Sequence, residues 1–332
     1  MKAVLCRAWG GPETLAVEEV PVPVPAPDQV LIEVAAAGVN FADTLMIAGK
    51  YQEKPPFPFS PGLELAGTVR ALGANVSGLA EGRRVMAVVD WGGYAETALA
   101  RAGDVFALPP ALGPERFGWA EAAGFPITYG TAHGALRWHA DLQPGEVLLV
   151  HGAAGGVGLA AVEIGKAIGA TVIATAGGAD KLAVAKAHGA DHLIDYRSED
   201  IRERVKAITG SKGADVVFDP VGGDVFDASL RCIAWSGRLL VIGFAAGRVP
   251  QVPANILLVK NVAVMGVYWG SYRRHAPERL AAQFRELFDW LEAGLLKPHV
   301  SHKLALGEAA EAMALLLDRR STGKVVLTLG PT

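Results

Sequence analysis

Cysteine is scarce in this chain. Cys6 and Cys232 are the only two cysteines among 332 residues, and they lie far apart in the sequence. A disulfide scaffold or a cysteine-based zinc site needs several cysteines at characteristic spacings. We therefore expect neither in this protein.

An excess of charge of one sign and a long apolar run are missing as well. The chain has 31 Lys and Arg against 34 Asp and Glu, a net charge of −3. That balance indicates no surface for nucleic acid or an anionic membrane. No apolar run reaches the roughly 18 residues of a membrane span, and the first residues show no signal-peptide pattern. We expect a cytoplasmic protein that binds neither nucleic acid nor membranes.

Glycine, by contrast, is abundant, and four glycines fall within the eight residues from His151 to Gly158. The apolar run Val147–Val150 before them is typical of a strand buried on both faces. The pattern from Leu159 to Ile168 predicts a helix that ends at Gly169. A strand, a glycine loop and a helix together suggest a phosphate cradle, because bare backbone can approach a pyrophosphate. The spacing G-x-x-G-G-x-G departs from the usual G-x-G-x-x-G, so a simple tight turn is the alternative.

The pattern of predicted secondary structure changes near Gly145. Before it, short strand patterns broken by proline and glycine predict a compact, mostly β domain of roughly 120 residues. After it, strands and helices alternate, with six strands and five helical crossovers, and Ser198 is the expected cap of one helix. This pattern predicts an α/β fold with a doubly wound parallel sheet. The tail, which ends in a strand over 324–329, has no place in that sheet, and we assign it to the first domain.

Several motifs together resemble the medium-chain dehydrogenase/reductase superfamily and, within it, the quinone oxidoreductase group that includes zeta-crystallin. The motifs are Gly38–Asp43, Pro61–Gly67, Ala153–Gly158, Asp195–Arg197 and Ser321–Val326.

This resemblance implies a GroES-like, β-rich catalytic domain over residues 1–125, completed by 267–332. It also implies a Rossmann domain over 126–266 that binds the cofactor. Relatives of this kind pair their last Rossmann strand across two subunits, so we expect a homodimer.

The same resemblance argues against a metal. Zinc-dependent relatives have a cysteine where this chain has Asn40 and a histidine where it has Leu63. An amide and an alkyl chain cannot replace a thiolate and an imidazole as zinc ligands, and Glu64 alone makes no site. We predict no metal, which excludes alcohol oxidation through a Lewis acid and leaves direct hydride transfer from a nicotinamide.

The second predicted strand indicates which nicotinamide cofactor binds. NAD enzymes usually place an acid at the end of that strand to hold the ribose hydroxyls. Here the strand end, 174–178, has no acid, and Asp180 on the following helix is expected to point elsewhere. Lys181 and Tyr196 match the family positions that bind a 2′-phosphate, so we predict NADPH. Alternatively, these two residues are a solvated cation and an aromatic at a strand edge.

Further positions match cofactor-contact regions of the family. They are Asn40, Thr128, Ala154, Gly155, Gly156, Val157, Gly177, Gly243, Phe244 and Lys324.

By the same resemblance, Asn40, Asp43 and Tyr51 line the nicotinamide pocket and are the catalytic candidates. In related enoyl-thioester reductases, a tyrosine in a matching Gly-x-Tyr context is thought to donate a proton or a hydrogen bond. A phenol is a poor proton donor unless the reacting centre is basic, as an enolate is. The alternative for Tyr51 is a loop aromatic that packs over Pro55 and Pro56, and Asp43 could simply accept a hydrogen bond at a helix start.

We therefore expect an NADPH-dependent, zinc-independent reductase that acts on a quinone or a similar conjugated acceptor. One alternative is reduction of an enone, an enoyl-thioester or another activated alkene. An alternative of another class is a non-catalytic NADPH-binding protein.

His133, His139 and His151 lack metal-ligand spacing on one element, and we expect them to be structural.

Overall fold

The computed structural model describes residues 1–329, which form two compact units. The first unit comprises Met1–Ile127 and the segment from Pro298 onward, and the second comprises Thr128–Lys297. This division differs from the expected boundary, because residues 267–297 group with the second unit and not with the catalytic domain.

Packing within the second unit explains the difference. The helix over 277–292 buries Phe284 against Trp269, with ring centroids 6.2 Å apart. Gln283 on the same helix donates from Nε2 to the backbone oxygen of Gly130 at 2.8 Å and accepts from Nε1 of Trp269 at 2.9 Å. The apolar face of this helix therefore belongs to the core of the second unit.

The first unit begins with short strands and two helices, which agrees with the mostly β texture of its sequence. These elements are β1 (Lys2–Leu5), β2 (Ala16–Glu19), β3 (Gln29–Val39), α1 (Phe41–Ile47), β4 (Glu64–Leu72), β5 (Arg84–Val88), β6 (Thr97–Arg101), β7 (Val105–Ala107) and α2 (Trp119–Ala123). In β3, Val30, Ile32 and Val34 are buried on one face, and Leu31 is buried on the other, while Glu33 is exposed, so only part of this strand alternates in burial.

Helices and strands alternate through the second unit. They are α3 (Pro126–His133), β8 (Val147–Val150), α4 (Gly156–Ile168), β9 (Thr171–Ala176), α5 (Ala179–Ala187), β10 (His192–Asp195), α6 (Ile201–Ile208), β11 (Ala214–Asp219), α7 (Gly223–Cys232), β12 (Ile233–Val241), α8 (Ala254–Lys260), β13 (Ala263–Gly266), α9 (Tyr272–His275) and α10 (Pro277–Glu292).

The six strands of the second unit form one parallel sheet in the order β10-β9-β8-β11-β12-β13. A helix joins each strand to the next, so the predicted doubly wound sheet with five crossovers is confirmed. The strand order reverses on either side of β8, and ligands of such sheets bind outside the carboxyl ends of the strands at that point. The glycine loop follows β8 directly.

The tail returns to the first unit as β14 (Val300–Ala305), α11 (Ala309–Leu317) and β15 (Lys324–Thr328). The sheet of that unit has the order β14-β15-β3-β4-β5-β7, and β6 also pairs with β3. β15 runs antiparallel to β3, with Val325 opposite Val39 and Val326 opposite Gly38. This register brings Lys324 to the carboxyl end of β3.

One local prediction was wrong. Ser198 does not cap α6; the cap is Asp200, whose Oδ1 accepts a hydrogen bond from the backbone N–H of Glu203 at 2.9 Å. A carboxylate at this position also interacts favourably with the helix dipole, which a serine hydroxyl does less well.

Across residues 1–329, the structure contains no helix with the length and apolar character that crossing a membrane requires.

Candidate active site

A cluster of buried polar side chains lies in the first unit where β3 ends and α1 begins. The backbone N–H of Asn40 donates to Oδ2 of Asp43 at 2.8 Å, which fixes the start of the helix. The hydroxyl of Tyr94 donates to the same oxygen at 2.8 Å. Asp43 is fully buried, and its other oxygen, Oδ1, has no hydrogen-bond partner.

Burial raises the pKa of Asp43 from 3.8 to about 7. The carboxylate of Glu64 also raises this pKa, while the bonds from Asn40 and Tyr94 and the charge of Lys324 lower it. Because Oδ2 already accepts two hydrogen bonds, a proton on this carboxyl resides on Oδ1. The side chain therefore exchanges a proton near neutral pH, which an ordinary aspartate does not do.

Lys324 supplies the positive charge of the cluster. Its Nζ donates to Oε1 of Glu64 at 2.7 Å, to Oδ1 of Asn40 at 2.8 Å and to the backbone oxygen of Val39 at 2.9 Å. An ammonium group has three N–H donors, so these three acceptors use all of them. If Lys324 contacts the cofactor as predicted, the contact is made by its aliphatic stem, or the ammonium group first leaves one of these acceptors.

Glu64 joins the remaining groups and is fully buried. Its Oε1 also accepts from Nδ2 of Asn40 at 3.0 Å, and its Oε2 accepts from the backbone N–H of Ile127 at 2.8 Å. Gly38 makes this approach possible, because a Cβ at that position would lie 2.4 Å from Oε1 of Glu64. The amide of Asn40 is held at both ends, with its oxygen on Lys324 and its nitrogen on Glu64.

Zinc does not fit this cluster. The positions that would carry a thiolate and an imidazole are Asn40 and Leu63, and the carboxylate of Glu64 is already paired with an ammonium group. Within residues 1–329, no three or more His, Cys, Asp and Glu side chains are grouped so that they could hold a metal ion.

Tyr51 lies in the loop after α1. It is half-buried, and its ring packs against the hydrophobic core of the first unit. The ring is therefore anchored in the fold, while a catalytic role for its hydroxyl stays a prediction.

The glycine loop of the second unit has the geometry of a phosphate cradle. Gly152 has a φ of +56°, a conformation that favours glycine. A Cβ on Gly158 would lie 2.3 Å from the backbone oxygen of Gly152, so no side chain fits there. Ala154 is buried, whereas Gly155 is exposed at the start of the 13-residue helix α4. Free N–H groups at this exposed helix start suit a pyrophosphate.

The end of β9 brings together two side-chain donors whose chemistry suits an anion. A Cβ on Gly177 would lie 2.7 Å from the hydroxyl of Tyr196 and 2.8 Å from Nε of Arg197, so a phenol and a guanidinium converge on this bare backbone. The nearby acid, Asp195, accepts from the backbone N–H groups of Gly178 at 3.2 Å and Arg197 at 3.0 Å. Its carboxylate is therefore engaged by the loop backbone.

The other predicted cofactor residues of the second unit are distributed around the sheet. Lys181 is half-buried in the first turn of α5, and Thr128 is buried in α3. Gly243 and Phe244 follow β12, and the ring of Phe244 packs over Gly222, where a Cβ would meet it at 3.1 Å.

The sequence interpretation missed the roles of two residues. Arg197 lies next to Tyr196 in the motif Asp195–Arg197, and a guanidinium binds phosphate through paired N–H donors. The sequence therefore contained a signal for a phosphate-binding role of Arg197. Tyr94 gave no local signal, because 51 residues separate it from Asp43.

Two family models match this chain. Residues 26–110 match one described as "Alcohol dehydrogenase GroES-like domain", and residues 156–293 match one described as "Zinc-binding dehydrogenase". The second match does not include Asn40 or Leu63, the two positions at which the family resemblance implies zinc ligands in zinc-dependent relatives.

Known proteins resemble the chain over nearly its whole length. A protein of Nematostella vectensis named "Quinone oxidoreductase-like protein 2 homolog" is 40% identical over 329 residues, which cover 98% of this chain and 88% of that protein. Human quinone oxidoreductase is 34% identical over 332 residues, 99% of this chain and 98% of that protein. The crystal structure of Escherichia coli quinone oxidoreductase complexed with NADPH superposes with a TM-score of 0.92 at 33% identity, covering 99% of this chain and 100% of that one.

Proposed function

Because this chain belongs to the quinone oxidoreductase group of the medium-chain dehydrogenase/reductase superfamily, we propose that it is an NADPH-dependent reductase of a quinone or a similar conjugated carbonyl compound. The observation that carries the choice of cofactor is the convergence of Tyr196 and Arg197 on Gly177, at a strand end without an acid. A 2′-phosphate is a dianion with three acceptor oxygens, which these donors suit.

The second unit would hold the cofactor at two places. Gly156 and Val157 would present backbone N–H groups to the pyrophosphate at the start of α4. Gly155 would contribute bare backbone instead, because its own N–H already donates to the backbone oxygen of Gly152 at 2.9 Å. Tyr196, Arg197 and Lys181 would bind the 2′-phosphate. NADPH supplies the hydride when it is bound.

The buried cluster of the first unit would govern the charge near the acceptor. Glu64 and Lys324 neutralise each other, and Asp43 is partly protonated at neutral pH, so the cluster carries little net charge. A quinone that accepts hydride gains negative charge, and a neutral cluster opposes that charge less than a carboxylate would. Asn40 holds this arrangement together through its amide.

Reduction of an activated alkene is the second candidate, and Tyr51 distinguishes the two. Quinone oxygens become weakly basic and can take a proton from water, so Tyr51→Phe should lower quinone turnover less than about tenfold. Alkene reduction creates an enolate, for which a positioned acid typically contributes about 10²–10⁴-fold. The test is NADPH oxidation by both forms with a panel of quinones, enones and enoyl-thioesters.

Two outcomes of the same acceptor panel would contradict quinone reduction. Rapid turnover of enoyl-thioesters alone, lost by several hundredfold in Tyr51→Phe, would establish the alkene reaction. NADPH binding without turnover of any acceptor would favour a non-catalytic protein.

We also propose that two copies associate through the edge of the six-stranded sheet formed by β13. Leu258 and Val259 on α8, just before this strand, are 80% and 78% exposed, which is unusual for large apolar side chains and favours a covering partner. A cytoplasmic location stays a prediction.

A further inference from the structure

His151 occupies an unusual place beneath the glycine loop. It follows β8 directly, begins the loop and is fully buried. Its Nδ1 lies 2.9 Å from Oγ1 of Thr175 at the end of β9, and its Nε2 lies 2.7 Å from Oγ of Ser229 on α7. One imidazole therefore connects three elements of the second unit.

The hydrogen bonds around His151 determine its tautomer. The hydroxyl of Ser229 donates its single hydrogen to the backbone oxygen of Val225 at 2.8 Å, so it can only accept from His151. The ring therefore carries a proton on Nε2. Burial lowers the pKa of His151, although the carboxylate of Asp219 opposes this. The ring is then neutral, and Nδ1 accepts from the hydroxyl of Thr175.

Thr175 connects this ring both to the glycine loop and to the donor pair at the end of β9. Its backbone oxygen accepts from the N–H of Ala153 in the glycine loop at 3.0 Å. It also lies two residues before Gly177, where Tyr196 and Arg197 converge. The bond between His151 and Thr175 thus links the loop suited to a pyrophosphate with the strand end suited to a 2′-phosphate.

We propose that His151 is a positioning residue for NADPH. It holds the glycine loop and the end of β9 at one fixed separation, so that both phosphate groups of the cofactor are contacted at once. This inference rests on the proposed binding of NADPH. His151 itself touches no cofactor atom in this account and acts through Thr175 and the loop backbone.

Thr175 offers a matched pair of variants. Thr175→Val keeps the shape of the side chain and removes its hydroxyl, whereas Thr175→Ser keeps the hydroxyl. A hydrogen bond contributes roughly 0.5–1.5 kcal/mol, which corresponds to about two- to thirteenfold in affinity. We expect Thr175→Val to raise the Kd and the KM for NADPH by about fivefold, with kcat changed less than twofold. Thr175→Ser should stay within about twofold of the wild type.

Two further measurements separate positioning from mere stability. Ser229→Ala removes the other partner of the ring and should also raise the Kd for NADPH. Nitrogen-15 NMR of the wild type should show His151 protonated on Nε2 alone between pH 6 and pH 8. A lower melting temperature in Thr175→Val with an unchanged Kd for NADPH would overturn the inference, as would a ring protonated on Nδ1. Failure of the wild type to bind NADPH would refute the proposed function itself, and it requires no variant.

Discussion

At the scale of single residues, burial gives Asp43 a proton affinity that its sequence neighbours do not suggest. The folded chain binds this proton more tightly than the unfolded chain, because the pKa rises from 3.8 to about 7. Its contribution to stability is therefore complete below about pH 4 and is lost as the pH rises toward 7. Ionisation of Asp43 above that range leaves a buried charge with one unpartnered oxygen.

Asp43→Asn tests this account of the carboxyl. The amide oxygen can still accept from Asn40 and Tyr94, but it does not titrate. We expect the wild type to lose on the order of 3 kcal/mol of unfolding free energy from this group between pH 5 and pH 8, and the variant to lose none of it. Urea denaturation of both forms at the two pH values measures the difference. Parallel pH dependences would show that Asp43 is ionised throughout.

A second residue-scale prediction concerns Lys181. If its ammonium group binds the 2′-phosphate, Lys181→Ala should weaken NADPH by about 10- to 150-fold, because a hydrogen bond to a charged group contributes roughly 1.5–3 kcal/mol. NADH, which lacks that phosphate, should be nearly unaffected. Lys186→Ala, in the last turn of the same helix, is the control and should change neither affinity. Equal losses for both cofactors in Lys181→Ala would refute the assignment.

The family resemblance predicted Asn40, Asp43 and Lys324 as site residues, because the motifs Gly38–Asp43 and Ser321–Val326 contain them. Tyr94 and Lys324 reach the same cluster from 51 and 284 residues away. The register of β15 against β3 brings Lys324 there. Tyr94 lies in a loop that backbone hydrogen bonds tie to Val4 and Pro61. No local pattern encodes that register.

At the scale of elements, the glycine loop is the feature whose geometry tolerates least change. Gly158→Ala places a methyl group 2.3 Å from the backbone oxygen of Gly152. Neither atom can move away easily, because the oxygen belongs to the backbone and the methyl carbon is attached directly to it. We expect NADPH affinity to fall by at least tenfold, together with a lower melting temperature. In Gly270→Ala, the added methyl group makes an ordinary contact at 3.5 Å with Tyr268. That control should bind NADPH as the wild type does, and normal binding by Gly158→Ala would contradict the cradle.

The order of the elements in the second unit could be predicted because periodicity there is strong. The apolar run Val147–Val150 is too short for a helix, and the apolar residues of α4 recur at helical spacing after a glycine loop. Each pattern therefore predicts one kind of element. Boundaries were harder, since Ser198 and Asp200 are both good caps and two residues apart. β14 was not predicted, because its residues are half-buried or exposed and show no clear alternation.

At the scale of the whole molecule, the first unit is completed by the end of the chain. The tail strand could be assigned to it by exclusion, because the parallel sheet already had its six strands. The position of residues 267–297 could not be predicted, because the apolar stripe of α10 shows that one face is buried but not against which unit. Contacts of Gln283 and Phe284 within the second unit decide that question.

The central claim is that this chain reduces quinones with NADPH and without a metal. The most direct measurement is the rate of NADPH oxidation with a quinone, using protein dialysed against a chelator and checked for zinc by elemental analysis. We predict that turnover persists without stoichiometric zinc and that kcat/KM is higher for NADPH than for NADH. Turnover that disappears with the chelator and returns with zinc, or that prefers NADH, would contradict the claim.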